Sequence, residues 1–435
     1  MTQPPEQAVP DQPALRLRRA ERQQVVPVPA HLDALLPEDH LARLLWQAVE
    51  QLDLGAFTAG LVVREGGPGR AAADPRVLVA LWLYATAQGG TSARALARLC
   101  VEHLAYIWRC GGVSVNYHSL SDFRVDHAAA LDDLLTQVLG RLCHAGLVAF
   151  EQVAQDGLRV RAGAGTGSFR RQPTLEQALA EARALLAAVQ AGDTPPQEPP
   201  PSARQRAARE RAARERAARV EAALAGMPAA RAAKEAKDRH KARVSTTDAE
   251  ARVMKMPDNG YRPAYNIQFA ADTQDQAIVG VAVTSSGSDM GQAPGMVRQV
   301  RARLGRRPRR WLMDGGFASH QAITDVEAQG VTVLAPVKTP KDPERDPHEP
   351  LPEDSPVLAA WRIRMGTAEA QATYRLRAAT IECVNAQAHS HYGLTQLRVR
   401  GLAKVRCVAL WVALAHNLRL WVTRQQRQPR DQAAA

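Results

Sequence analysis

The order of hydrophobic patterns along this 435-residue chain predicts a mixed α/β layer, preceded by an all-helical N-terminal region and interrupted by a basic helical insertion. Three observations carry that reading. From His31 to about Leu147 apolar residues recur at three- and four-residue spacing, as in Leu41, Leu44, Leu45, Ala48 and Leu52. After Gly146 the texture changes to runs rich in β-branched residues, beginning with Val148–Val160. Between that run and the next lies a stretch, 204–243, holding 13 Lys or Arg against 5 Asp or Glu.

Each element has its own signal. Residues 1–30 are Pro-rich and then basic, which reads as a tail. Pro37, Glu38 and Asp39 precede the first helix, where acids suit the positive end of the helix dipole. Further helices are predicted at Pro75–Gln88, Ser92–Cys100, His103–Cys110 and His127–His144, with an N-capped short helix at Ser121–Arg124. Short helices with Gly-Gly turns suit DNA docking and a plain bundle equally. Residues 174–192 are again helical, and Pro-rich 192–201 ends them. In 206–219 the unit Arg-Ala-Ala-Arg-Glu recurs every five residues, a period that does not keep one face of a 3.6-residue helix, so the charge spreads around it. Strands resume at Tyr265–Ala271 and Ala277–Thr284, joined by a polar turn as an antiparallel hairpin, with 256–263 read as the loop leading in. A helix at Gln292–Leu304, a strand at Arg310–Asp314, a helix near Gln321–Gln329 and a strand at Val331–Val337 follow. The six prolines of 338–356 mark a loop, and helical texture runs from Val357 to about Val422. The expected units are therefore a 1–30 tail, a 31–147 helical region, a 148–424 α/β region interrupted at 170–244, and a 425–435 tail.

Composition narrows the partners. The net charge of +12 points to a polyanion, and no apolar run is long and uninterrupted enough to predict a membrane span. Five cysteines without a Cys-x-x-Cys pair argue against a disulfide scaffold or zinc ribbon. Cys100, His103, Cys110 and His118 match no usual zinc spacing, and Cys100 and Cys110 are expected in helix cores.

The chemistry rests on acids. Asp156 and Asp314 each sit at or near a strand end and are each followed by glycine, which leaves room for close approach to the backbone. Carboxylates gathered within a basic protein are the donor set that a hard divalent cation takes in phosphoryl transfer. The third acid is expected from a late helix. Glu382 is the candidate, in Tyr374-x2-Arg377-x4-Glu382-x6-His389, where a seven-residue interval puts Glu382 and His389 on one face. Asp289 after Gly287-Ser288 is the rival ligand, with N-capping of the next helix as its expected role. His416 and Asn417 are expected to satisfy buried backbone groups.

Several blocks together resemble a known family. Asp156-Gly-Leu-Arg-Val160, Ser245-Thr-Thr-Asp248, Tyr265-Asn-Ile-Gln268, Gly287-Ser-Asp289, Trp311-Leu-Met-Asp-Gly-Gly-Phe317, Glu382-Cys-Val-Asn-Ala386, Val399–Val405 and Ala415-His-Asn-Leu418 look like a bacterial insertion-sequence DDE transposase. Ala80–Tyr84, Tyr106–Gly112 and Asp122-Phe-Arg124 are similar to that family's helical N-terminal domain. The resemblance implies an RNase H-like catalytic domain with Asp156, Asp314 and Glu382 as triad, two Mg²⁺ or Mn²⁺ ions, and excision and insertion of DNA at terminal inverted repeats. Partners would be element ends and target DNA, handled by a homodimer or larger assembly in the cytoplasm near the nucleoid, without a membrane. Arg94, Arg98, Arg124, Tyr374, Arg377, His389 and Lys404 are the candidate DNA contacts. The chain departs from its relatives at Leu158-Arg159, where Thr-Lys is common, and at His389, where lysine is usual. A DNA-binding repressor without activity and another RNase H-like nuclease are the alternative readings.

Overall fold

The computed structural model describes residues 31–59, 71–191, 202–340 and 342–433. The N-terminal tail and the Pro-rich 192–201 segment lie outside them.

Among the described residues, seven α-helices come before the sheet: α1 (Leu41–Glu50), α2 (Gly55–Thr58), α3 (Pro75–Ala87), α4 (Ala93–Glu102), α5 (Leu104–Cys110), α6 (Tyr117–Val125) and α7 (Ala128–His144). Their starts are set by side chains that accept orphan backbone N–H groups: His40 before α1, Asp74 before α3, Ser92 before α4 and Asn116 before α6. The Asn116 cap begins α6 four residues earlier than the predicted Ser121. Helix α3 is apolar all round and buried from Val77 to Ala87, so it needs neighbours on every side. Two arginines are enclosed beside it. Arg109 donates to the carbonyls of Ala80 and Ala42 and lies over the Tyr84 ring, and burial pulls its pKa down to about 9. Arg124 lies over Trp82 at 4.7 Å and donates to the Thr91 carbonyl.

A six-stranded sheet follows, built from β1 (Gln152–Arg161), β4 (Arg252–Lys255), β5 (Tyr261–Asp272), β6 (Ile278–Thr284), β7 (Arg310–Leu312) and β8 (Thr332–Leu334). The order is β4-β5-β1-β7-β8, with β6 also on β5. Strands β4, β5, β6 and β1 pair antiparallel, whereas β1, β7 and β8 pair parallel. The mixed α/β class is thus as expected. Strand β4 is an addition: part of the 256–263 segment is the turn of a β4–β5 hairpin. Helices α11 (Ala293–Leu304) and α12 (His320–Glu327) flank the sheet, followed by α13 (Pro356–Met365), α14 (Ala368–Arg377) and α15 (Cys383–Ser390).

The last helix, α16 (Leu402–Ala433), joins the two regions, and one continuous core runs from the N-terminal helices through α16 to the sheet. Residues 425–433 therefore continue a helix where a tail was expected. By length and composition 402–426 is apolar enough to cross a membrane, but 83% of its apolar window is buried inside the protein, which explains its hydrophobicity. Asn417 and His416 satisfy buried backbone groups, as expected. Asn417 accepts from the Ile278 N–H and donates to its C=O, at 2.8 and 2.9 Å, and His416 reaches the Gln276 carbonyl at 2.9 Å. Gln299 clasps Val281 in the same way, so amide side chains occupy the outer edge of β6.

The insertion is a helical hairpin. Short strands β2 (Phe169–Arg170) and β3 (Val244–Ser245) pair at its neck. Helices α8 (Gln172–Ala191), α9 (Ala203–Ala225) and α10 (Met227–Ala232) lie between them. The five-residue repeat still finds a buried face, because Ala213, Ala217, Val220 and Ala223 recur at three and four residues. Leu175, Val220, Met227 and Val244 close a small separate core.

Replacing Asn417 with Ala strands both Ile278 backbone groups in the core. A loss of about 2–4 kcal/mol is expected, seen as a lower urea midpoint at unchanged m-value.

Candidate active site

Parallel pairing of β1 with β7 sets Val153 beside Trp311 and Ala154 beside Leu312. Two residues beyond these pairs stand Asp156 on β1 and Asp314 just past the end of β7, near enough for the Asp314 charge to act on Asp156. Local hydrogen bonds fix both carboxylates: Gly157 N–H donates to Asp156 Oδ1 at 2.8 Å, and Gly316 N–H donates to Asp314 Oδ1 at 2.8 Å. Burial pushes the Asp156 pKa up to about 6, and the negative charges of Asp314 and Asp289 add to this.

The helical segment above this face supplies the other groups. Between α14 and α15 a single π turn, Ala378–Glu382, interrupts the α geometry. In a regular α-helix residues five apart stand roughly 140° apart around the axis. Here Arg377 and Glu382, five apart, pair at 2.9 Å across the wider turn. The same guanidinium comes within 3.9 Å of Asp156 Oδ2, so one cation links the β1 aspartate to the helix glutamate. Asn385, one turn after Glu382, donates to Asp156 Oδ2 at 3.2 Å. Tyr374 is half-buried beside Arg377, with its pKa raised chiefly by burial.

Asp289 stands on the opposite face. It accepts from Asn266 Nδ2 at 2.7 Å and Gln268 Nε2 at 2.6 Å, and pairs with Arg159 at 3.4 Å. It does not cap α11, whose N-cap is Gln292, so that expectation is corrected. Its carboxylate closes over Gly157: a Cβ there would stand 2.3 Å from Asp289 Oδ1 and 2.5 Å from Gln268 Nε2. The network continues through the sheet, from Gln268 to Gln155 at 3.0 Å and from Gln155 to Trp311 Nε1 at 3.1 Å. It therefore ties β5, β1 and β7 together next to both aspartates.

The remaining candidates scatter. Arg124 is enclosed in the N-terminal core, so it is not a DNA contact but an internal clamp, with Trp411 donating to its carbonyl at 3.0 Å. Arg94 and Arg98 are exposed on α4; Arg94 lies over Tyr117, and Arg98 is 3.7 Å from Glu102. His389 is exposed on α15, and Lys404 is exposed at the start of α16. Arg406, two residues on, pairs with Asp132 of α7 at 3.4 Å. Cys100 and Cys110 are buried in helices, and His118 is exposed. Sequence reading missed Asn385 as a partner of Asp156; its only signal is the one-turn spacing from Glu382.

Among the described residues, no three His, Cys, Asp or Glu side chains form a ready-made metal cluster. The donors around Asp156 nevertheless suit a hard divalent ion. They are carboxylate oxygens without a thiol or imidazole among them, one carboxylate is destabilised in its charged form by burial and like charge, and the amide oxygen Asn385 Oδ1 is buried there without a hydrogen-bond partner.

The raised Asp156 pKa has a sign. The folded state holds the proton more tightly than the unfolded chain, so stability falls as pH rises from about 4 to about 6. Asp156→Asn removes that loss. The variant is expected to be more stable than wild type by about 1–3 kcal/mol at pH 8 and equal to it at pH 3.5, measured by urea unfolding without metal.

Two protein-family models match the chain. Residues 237–418 match the Transposase DDE domain, and residues 30–126 match the Transposase domain (DUF772). Asp314 and Glu382 fall within the first match, while Asp156 lies between the two and joins the site through strand pairing. No curated protein and no solved structure matches the chain. The two matches in this order, over a mixed sheet flanked by helices, show a Transposase DDE domain preceded by an N-terminal Transposase domain (DUF772).

Proposed function

We propose that this chain cleaves DNA at the ends of a mobile element and joins the freed ends to a target, with Asp156, Asp314 and Glu382 as its working carboxylates. One observation supports the reading: aspartates 158 residues apart in sequence follow the paired register of two neighbouring parallel strands, Asp156 within β1 and Asp314 just past β7, and Arg377 links the first of them to Glu382.

Asp156 and Asp314 would hold divalent Mg²⁺ or Mn²⁺, with Glu382 as the third donor. Bound there, the ions supply neutralising charge and polarise an attacking water or hydroxyl. The residues themselves do the positioning. Gly157 N–H and Asn385 hold the Asp156 carboxylate in one orientation, so little reorganisation is needed when charge builds up. Arg377, beside Tyr374, would meet phosphodiester oxygens. Water attacks in the cleavage step and a freed 3′-hydroxyl attacks in the joining step, so no side chain forms a bond to DNA. The exposed Arg94 and Arg98 of α4, together with His389 and Lys404, are the proposed DNA contacts outside the acidic cluster. Residues 31–147 would read the terminal inverted repeats, and joining two ends calls for at least two copies of the chain.

The test uses duplexes carrying the inverted repeats that flank the coding region. Wild type is expected to nick them only with Mg²⁺ or Mn²⁺, and Asp156→Asn, Asp314→Asn and Glu382→Gln to lose on the order of 10²–10³-fold in rate while binding DNA equally. Tight binding without nicking by wild type would favour the repressor reading, and equal nicking by all four proteins would refute the assignment of the acids.

A further inference from the structure

Outside the acidic cluster, a strong concentration of like charge lies where the insertion meets the body. A cavity of about 390 Å³ is lined by Arg170 on β2, Arg216 and Arg219 on α9, and Arg400 before α16, with Thr174, Thr246 and Thr247 between them. A second cavity of about 480 Å³ adjoins it, sharing Arg170 and Thr174 and adding Arg171 and Arg243. Six arginines from four separate stretches of chain thus face one continuous groove, and among the described residues no Asp or Glu lines either cavity. Among the described residues none of the six has an ion-pair partner, whereas Arg183 and Arg214 of the same hairpin are paired with Glu221 and Glu210. Six exposed guanidinium groups gathered without counter-charges make a locally positive surface that attracts a polyanion.

The repeat explains how two of the six arrive. Ala217 and Val220 are buried on α9, so the neighbouring Arg216 and Arg219 leave the helix at the margin of that buried face and overhang the β2–β3 neck. The neck is rigid: Phe169 pairs with Ser245, Ser168 Oγ meets Ser245 Oγ at 2.7 Å, and Thr246 N–H donates to Ser168 O. Arginine forks and threonine hydroxyls on a fixed floor are the groups that hold phosphate oxygens.

We infer that this groove binds the phosphodiester backbone of duplex DNA, as a second holding surface apart from the carboxylates and from helix α4. Strand β1 leads toward it: the strand carries Asp156, ends at Arg161, and is followed within nine residues by Arg170. A duplex seated at the acids and running in that direction reaches the neck of the hairpin. Four of the six arginines (Arg170, Arg171, Arg216 and Arg219) lie outside both family-model matches, so the groove is mostly a property of the insertion. The inference rests on the chain being a DNA-handling protein, but not on the identity of its catalytic acids.

The test is fluorescence anisotropy of the full-length protein on a duplex of about 30 base pairs across a salt series, without divalent ions. Arg216→Gln/Arg219→Gln and Arg170→Gln/Arg400→Gln are compared with Arg183→Gln/Arg214→Gln, which removes the same charge from the paired positions. Each groove pair is expected to flatten the slope of log K against log salt by about 0.9 for every phosphate no longer held, and to weaken binding about tenfold or more at low salt whatever the DNA sequence. The Arg183/Arg214 variant is expected to stay within about threefold of wild type, and all proteins to give the same near-ultraviolet circular dichroism. Groove variants with wild-type affinity and slope would overturn the inference, as would equal weakening in the Arg183/Arg214 variant. Stronger binding of polyglutamate or duplex RNA than of duplex DNA would overturn it too. A groove variant that binds like wild type while wild type nicks DNA sinks this inference alone; wild type that neither binds nor nicks DNA sinks the functional reading with it.

Discussion

One parallel pairing, β1 against β7, is the constraint on which the site depends. It takes two aspartates from distant parts of the chain and sets them side by side, partly shielded from water. Neighbouring carboxylates with reduced hydration repel each other, and the fold answers in two ways. Close donors hold each acid in place, the Gly157 and Gly316 amides and the Asn385 amide among them. A single guanidinium, Arg377, supplies positive charge on the side facing the helix. Burial raises the cost of leaving Asp156 charged, and under the proposed function a bound cation would offset that cost.

Packing elsewhere serves that pairing. Helix α16 lies between the N-terminal helices and the sheet, and its Asn417 and the Gln299 of α11 satisfy the outer edge of β6. The inner strands are fixed by a polar chain from Asp289 through Gln268 and Gln155 to Trp311. Gly157 is needed where that chain passes, since any side chain would collide with Asp289. The N-terminal helices use two enclosed arginines, held by carbonyls and aromatic rings in place of acidic partners. Fold and site are thus one packed body, with the helical hairpin of the insertion fastened to it by a two-strand neck.

Much of this was legible in the sequence. Helix starts were readable from Ser92 and from Pro37 through Asp39, and the β5–β6 hairpin from its polar turn, because these signals are local. The proposed acids Asp156 and Asp314 were legible as candidates from their Asp-Gly steps near strand ends, and Glu382 through the family resemblance. What escaped is long-range or counter to type. Arg124 reads as a surface cation, yet the Trp82 ring and the Thr91 carbonyl make a buried place for it. Asp289 reads as an N-cap, but side chains from β5 claim it first. The π turn leaves no pattern in composition, although the four residues between Arg377 and Glu382 need it for the two to meet. The five-residue repeat hid its buried face because alanine counts as neither strongly apolar nor polar.

The most direct test of the central claim is a crystal structure of the protein soaked with Mn²⁺, read from the anomalous signal of the metal. The account predicts a peak between Asp156 and Asp314, with Glu382 turned toward it and away from Arg377. Manganese bound only elsewhere, with Glu382 still held by Arg377 and the two aspartates unligated, would contradict it.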